Sequence, residues 1–199
     1  LLLKNGLPQA GDQDVLGNAV YKWTGGWRNS FTYKGFNLGF LIDFKFGAKI
    51  FSGTNYQLYY YGMHKNTLNG RTPENPAGSI VAQGIDEVTG QPNTTAVTSQ
   101  DYYRAICNAN IAEEFVYSAD FIKLRELSFG YTFPKKFLEP LKYVKGLSVS
   151  FVARNLWTIM KHTPNIDPES AINNTNAQGL ELNGYPATRN IGFNINVKF

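Results

Sequence analysis

The chain of 199 residues is 43% hydrophobic and 15% aromatic but only 17% charged, with a formal net charge of +4. Such aromatic enrichment favours strands, and the lack of any run of about 18 apolar residues excludes a membrane-spanning helix. Lys and Arg are scattered, densest at Lys135, Lys136, Lys142 and Lys145, so no basic stripe with interleaved aromatics marks a nucleic-acid partner.

The chain opens on Leu1-Leu2-Leu3-Lys4, without an initiator Met or a signal-like apolar stretch. It is expected to be a mature piece or a fragment of a longer protein. The first predicted strand runs from Trp27 to Tyr33, with Trp27, Phe31 and Tyr33 on one face and Arg28, Ser30 and Thr32 on the other. Lys34-Gly35 makes a tight turn, because two-residue hairpin loops need a residue that tolerates positive φ. The second strand, Phe36 to Phe46, alternates Phe36, Leu38, Phe40, Ile42, Phe44 and Phe46 with Asn37, Gly39, Leu41, Asp43 and Lys45. Its length suits a tilted crossing of a bilayer. Asp43 and Lys45 are expected on the polar face, paired with each other or with Arg154.

A long connection follows. It holds Tyr59-Tyr60-Tyr61, in a stretch from Asn55 to Lys65 that suits a short helix. His64 and His162 have no ligand partner at metal spacing and are expected to be solvated. Cys107 alone permits neither an internal disulfide nor a multi-cysteine metal site, and is expected as an inert thiol in a loop.

The third predicted strand spans Phe121 to Phe133. Leu127, Phe129, Tyr131 and Phe133 alternate with Glu126, Ser128, Gly130 and Thr132. Its early half carries Lys123, Arg125 and Glu126 on both parities, which places that half above the hydrocarbon. Pro134 ends the strand, since proline cannot donate to the ladder. A short connector closed by Gly146, with one or two helical turns, leads to the fourth strand, Leu147 to Trp157. Asp167-Pro168-Glu169 then reads as a turn stiffened by proline; two carboxylates are too few for calcium, which takes 6 to 8 oxygens. The fifth strand is Ile191 to Phe199, with Ile191, Phe193, Ile195, Val197 and Phe199 opposite Gly192, Asn194, Asn196 and Lys198.

Short connections join strands one to two and three to four, and long ones join two to three and four to five. A compact soluble sandwich rarely tolerates structureless loops of that size, whereas outer-membrane barrels pair short periplasmic turns with long outer loops. The alternating face would then meet lipid. Five strands cannot close a barrel, so strands are missing. Asn93-Thr94-Thr95 and Asn173-Asn174-Thr175 match a glycosylation pattern that carries no weight in a bacterial outer membrane.

The segment Phe121-Ile122-Lys123-Leu124-Arg125-Glu126-Leu127-Ser128-Phe129-Gly130-Tyr131-Thr132-Phe133-Pro134-Lys135-Lys136 resembles the carboxy-terminal signature of SusC/RagA-type TonB-linked outer-membrane proteins of Bacteroidetes. Arg154-Asn155-Leu156-Trp157, Asn165-Ile166-Asp167-Pro168-Glu169 and Pro186-Ala187-Thr188-Arg189 follow in the family's order. Upstream, Gly17-Asn18, Lys22-Trp23-Thr24-Gly25-Gly26 and Phe31-Thr32-Tyr33-Lys34-Gly35-Phe36 also fit. The resemblance implies an all-β chain, residues 1–199 supplying the C-terminal five strands of a 22-stranded transmembrane β-barrel, without the plug domain or the TonB-binding segment. It implies import of a large nutrient, usually an oligosaccharide and sometimes a peptide. The expected partners are a SusD-like surface lipoprotein acting as a lid, TonB through the missing part, the outer-membrane assembly machinery and the lipid bilayer. No catalytic residue, cofactor or metal is expected. No Gly-x-Ser-x-Gly, metal-spaced His pair or defensible carboxylate pair supports an enzyme. The alternative is a soluble all-β carbohydrate-binding module of lectin type.

Three site expectations remain. Tyr59, Tyr60 and Tyr61 either line the ligand path, contact the lid, pack the loop against the rim or form part of the interfacial aromatic girdle. Asp167, Pro168 and Glu169 form a structural turn. Phe193, Ile195, Val197 and Phe199 present the strand that the assembly machinery is expected to recognise by edge addition. Deleting Phe199 is therefore expected to lower the outer-membrane level of the parent protein while leaving ligand affinity unchanged in molecules that assemble. Unchanged levels on an outer-membrane blot would sink this assignment.

Overall fold

A computed structural model describes all residues except 142, 172–174, 176 and 186; the Asn173-Asn174-Thr175 pattern and Pro186 thus fall partly outside the described residues. Five long strands are present: β1 (Trp23–Tyr33), β2 (Phe36–Phe46), β3 (Phe121–Thr132), β4 (Gly146–Lys161) and β5 (Asn190–Lys198). They form one antiparallel meander in the order β5-β4-β3-β2-β1. β1 starts earlier and β4 ends later than the alternation alone indicates, because pairing with a neighbour extends a strand past its apolar pattern. At the β1–β2 hairpin Lys34 and Gly35 take φ of 45° and 88°, the two positive angles of a type I′ turn.

The register lays the apolar residues in continuous rows across the sheet. Phe31, Leu38, Phe129, Phe151 and Phe193 are successive partners from β1 to β5. Phe36 and Phe129 stack at 6.1 Å, and Phe151 meets Phe193 edge-on at 5.8 Å. Among the described residues nothing covers this face: Phe129 is 51% and Phe193 76% exposed. A contiguous bare aromatic surface of this kind is what a wall facing lipid presents. The opposite face carries Thr32, Asn37 and Thr132 in a hydrogen-bonded chain of 3.0 and 3.2 Å and an Arg28–Glu126 ion pair of 2.8 Å.

β3 contains a bulge at Arg125. Leu124 pairs with Ile42 and Glu126 with the next residue, Leu41, so Arg125 is the extra residue. The insertion shifts the phase by one. Lys123, opposite Asp43, and Glu126, opposite Leu41, consequently share the polar face. This accounts for charges on both parities of the sequence: the strand does not leave the alternation but resets it.

The packed core lies beyond the long-connection end of the sheet. Residues 47–120, expected as a loop with one short helix, fold into a lobe with α1 (Gly53–Tyr60) and α2 (Ser99–Asn108), joined by the first residues of the chain. Ser52 caps α1, and Thr98 caps α2 in a reciprocal pair with Asp101. Leu3, Tyr59, Tyr103, Ile106, Cys107 and Phe115 form the core. Two expectations are corrected here. Cys107 sits fully buried on α2 rather than in a loop, and His64 is 8% exposed, capping the turn Lys65–Leu68 through Nδ1. Burial lowers the His64 pKa, against a smaller opposing effect of Glu114. His162 is exposed.

The second long connection is tied to the lobe by Leu180–Glu181, which pairs in parallel with the strand Lys49–Ser52. Glu181 is 1% exposed. Its carboxylate accepts from Ser52 Oγ at 3.0 Å, Thr54 N at 3.1 Å, Thr54 Oγ1 at 2.7 Å and Gly184 N at 2.9 Å. Four donors satisfy the buried charge at the start of α1. Replacing Glu181 with Ala leaves those donors unpaired, at a cost of about 2–3 kcal/mol. Hydrogen-exchange protection of residues 53–60 is expected to fall by a factor of about thirty or more; unchanged protection would exclude the latch.

Candidate functional site

Two constellations lie at the long-connection end. The first is built on the polar face of β2 and β3. Alternation and the Arg125 bulge bring Asp43, Lys45, Lys123 and Arg125 to one surface, and the turn Asp167-Pro168-Glu169 docks on it. Lys123 Nζ reaches Asp167 Oδ1 and Oδ2 at 2.7 and 2.8 Å and Glu169 Oε2 at 2.8 Å. Arg125 binds Asp43 through Nε and Nη2, Glu169 Oε2 at 2.7 Å and Asn155 Oδ1 at 2.9 Å. Lys45 Nζ lies 3.2 Å from Glu169 Oε1. Three cations thus meet three carboxylates. The expected pairing of Asp43 with Lys45 or Arg154 is corrected: Asp43 takes Arg125, Lys45 takes Glu169, and Arg154 approaches Glu126 at 3.9 Å.

The docked turn also covers apolar surface. Phe121 and Pro168 are fully buried, and Lys123 is 3% exposed with its ammonium 4.7 Å from the Phe121 ring. Tyr21 donates to Pro168 O at 3.2 Å and meets Phe121 edge-on. Burial, followed by the charges of Glu169, Asp167 and Asp120, pushes the Tyr21 phenol up to about 12. Burial also pushes the Glu169 carboxyl up, but the hydrogen bonds and charges of Lys123 and Arg125 outweigh it and hold the group at about 2.

The second constellation contains the three tyrosines, which the fold separates. Tyr59 is in the core, 5.3 Å from Tyr103, 5.1 Å from Phe115 and 4.7 Å from His64 by ring centroids; its hydroxyl donates to Glu114 and accepts from Asn66. Tyr60 is half-buried under the guanidinium of Arg104, and Tyr61 is 63% exposed. With Arg71, Gln100 and Arg104 they line a cavity of about 220 Å³. The arginines had no signal in the sequence, since nothing marks residues 71 and 104 as neighbours before α2 packs on α1. Phe193, Ile195, Val197 and Phe199 lie apart from both constellations, at the free edge of the sheet, with Phe199 79% exposed.

No family model matches the chain. TonB-dependent receptor P39 of Formosa agariphila is 28% identical over 192 residues, 96% of this chain and 17% of the relative. TonB-dependent receptor P3 of the same organism is 27% identical over 201 residues, 98% of this chain and 18% of the relative. The chain is thus similar to part of these TonB-dependent receptors. It spans less than a fifth of the length of these relatives. The RagAB peptide transporter structure shares the fold with a TM-score of 0.57 at 21% identity, covering 88% of this chain and 17% of that one. RagAB in its open-open state gives 0.56 at 20%. The similarity agrees with the bare apolar face and with the SusC/RagA-type motifs of the sequence.

The ion cluster has a pH signature. Because Glu169 titrates at about 2 when folded and at 4.5 ordinarily, its contribution to docking is complete above the higher value and is lost as pH falls through the lower one. A spin label at His162→Cys is expected to gain mobility between those values, and Glu169→Gln should remove most of that dependence. A flat response, or an identical one in Glu169→Gln, would exclude the coupling.

Proposed function

We propose that this chain forms part of the barrel wall and the outer lobe of an importer that takes a large nutrient, an oligosaccharide before a peptide, across the outer membrane. The observation that carries this reading is geometric. A meander with a bare aromatic face gathers its long connections at one end into a packed lobe, while the other end holds the tight Lys34-Gly35 turn and the carboxy-terminus.

The parent barrel, of 22 strands by the family resemblance, would continue from the free edges of β1 and β5. Its plug would meet the polar face, where Arg28, Glu126 and Arg154 stand. A SusD-like lipoprotein would close over the outer lobe, and TonB would supply energy through the part of the protein beyond this chain. The work is conformational and needs no covalent chemistry. The ion cluster supports this role by pinning the 162–170 turn against the inner side of the wall, and the exposed Tyr61 offers a flat ring to a sugar.

Membrane fractionation of the native organism tests the reading, with an antibody raised against residues 187–199. The expected product is a detergent-extracted outer-membrane band several times heavier than the 22.3 kDa chain, carrying a surface lipoprotein with it through affinity purification. A soluble band at the chain's own mass would replace the importer with a free-standing carbohydrate-binding β module.

A further inference from the structure

Among the described residues, two guanidinium groups in the outer lobe have no carboxylate partner. Arg104, on α2, donates from Nε to Tyr60 O at 3.3 Å and lies 5.3 Å from the centre of the Tyr60 ring. Gln100 stands one helical turn earlier; with its amide oxygen turned toward Arg104 it accepts from the two terminal nitrogens at 2.7 and 3.1 Å. Arg71 follows the Lys65–Leu68 turn and enters the same cavity. Its Nη2 would lie 3.2 Å from a side chain at Gly62, where φ is 71°, so the glycine lets the guanidinium approach the backbone. Arg71 Nε is buried and has no hydrogen-bond partner.

A buried guanidinium nitrogen left unpaired is costly, and the nearby acids are committed. Glu114 accepts from Tyr59, and the Asp101 carboxylate accepts from the hydroxyl of Thr98, the N-cap of α2. The cavity therefore concentrates positive charge and fork-shaped donors without an internal anion. Arginine is suited to binding two oxygens of a planar or tetrahedral anion. At the mouth, Tyr61 is 63% exposed and rests edge-on against Tyr60 at 5.2 Å. A fixed, accessible aromatic ring beside a charged fork fits a sugar ring bearing an acidic substituent: the C–H face of the sugar covers the ring and the acid reaches the arginines. At about 220 Å³ the cavity is below the ~300–1,000 Å³ of drug-sized sites, which suits a single sugar unit of a longer chain.

We propose that this cleft is an anion subsite that takes a carboxylate or sulfate carried on a saccharide, with Arg71 and Arg104 binding the acid and Tyr61 the sugar face. The inference rests on the oligosaccharide reading above and narrows it to acidic glycans. Full-length receptor in detergent is titrated calorimetrically with glucuronate, glucose 6-sulfate, glucose and N-acetylalanine. Both acid sugars are expected to bind with an affinity that falls as salt rises, and glucose about tenfold or more weaker. Arg71→Gln and Arg104→Gln should each weaken acid-sugar binding about tenfold or more, the loss of a charge-assisted hydrogen bond, while Arg104→Lys retains part of it. Unaltered melting temperatures of the variants separate this from misfolding, and the salt dependence of the unmodified receptor stands without any variant. Absence of acid-sugar binding, equal binding of glucose, or indifference to all three substitutions overturns the proposal. Arginine-dependent binding of N-acetylalanine as tight as that of glucuronate also overturns it, assigning the cleft to a peptide carboxylate. The two readings fail separately: a receptor that purifies with its lipoprotein yet ignores acid sugars keeps the import role and loses the subsite.

Discussion

Strand alternation has period two, so a slip of one residue turns an entire strand inside out. In a wall between lipid and a polar interior that slip is expensive on both faces at once, and every backbone donor must also find a neighbouring strand. The four pairings between the five strands meet both demands together. The row from Phe31 through Leu38, Phe129 and Phe151 to Phe193 holds only if all four pairings keep register. β3 keeps its inner charges because the bulge at Arg125 shifts the phase where the sequence does. Without it Lys123 and Glu126 would face opposite sides, and one charge would stand on the apolar face.

The bulge has a second consequence. It brings Arg125 beside Lys123, and those two cations with Lys45 form the seat for Asp167 and Glu169. Burying charges is costly unless each is paired and hydrogen-bonded, and here the balance of three cations and three carboxylates meets that condition. The Glu181 latch and the ion cluster act at the two ends of the same connection. One fixes it to α1, the other to the sheet, so the lobe and the wall are joined through side-chain chemistry as well as through the chain. Such fixed supports hold the lobe's surface more firmly than a free loop would.

The strands were legible because their signal is local and repeated: period two, Gly at the hairpin turn, Pro134 after β3. The one-sided connections were legible for the same reason, as gaps between those signals. The interior of residues 47–120 was not. Its core joins Leu3, Tyr59 and Phe115 to Tyr103, Ile106 and Cys107 of α2, and only the α2 residues share a local helical spacing. Cys107 is buried against α1, where its thiol meets Tyr56 O, and His64 is buried against the Tyr59 ring in the turn it caps, contacts that exist only once the lobe has folded. The Asp43 and Lys45 partners were misread because the nearest charges in sequence are not the nearest in space once the 162–170 turn folds back.

By itself the sequence determined that this is a β chain with one apolar face, short connections at one end and long ones at the other, since those properties depend on residues close to one another along the chain. Only the tertiary structure decided that the long connections form a packed lobe, that Asp167 and Glu169 engage Lys123 and Arg125, that Tyr59 is core while Tyr61 is surface, and that Arg71 and Arg104 share a cavity. Each of these depends on contacts between segments tens of residues apart, and burial and charge pairing are properties of such contacts, not of the residues that make them.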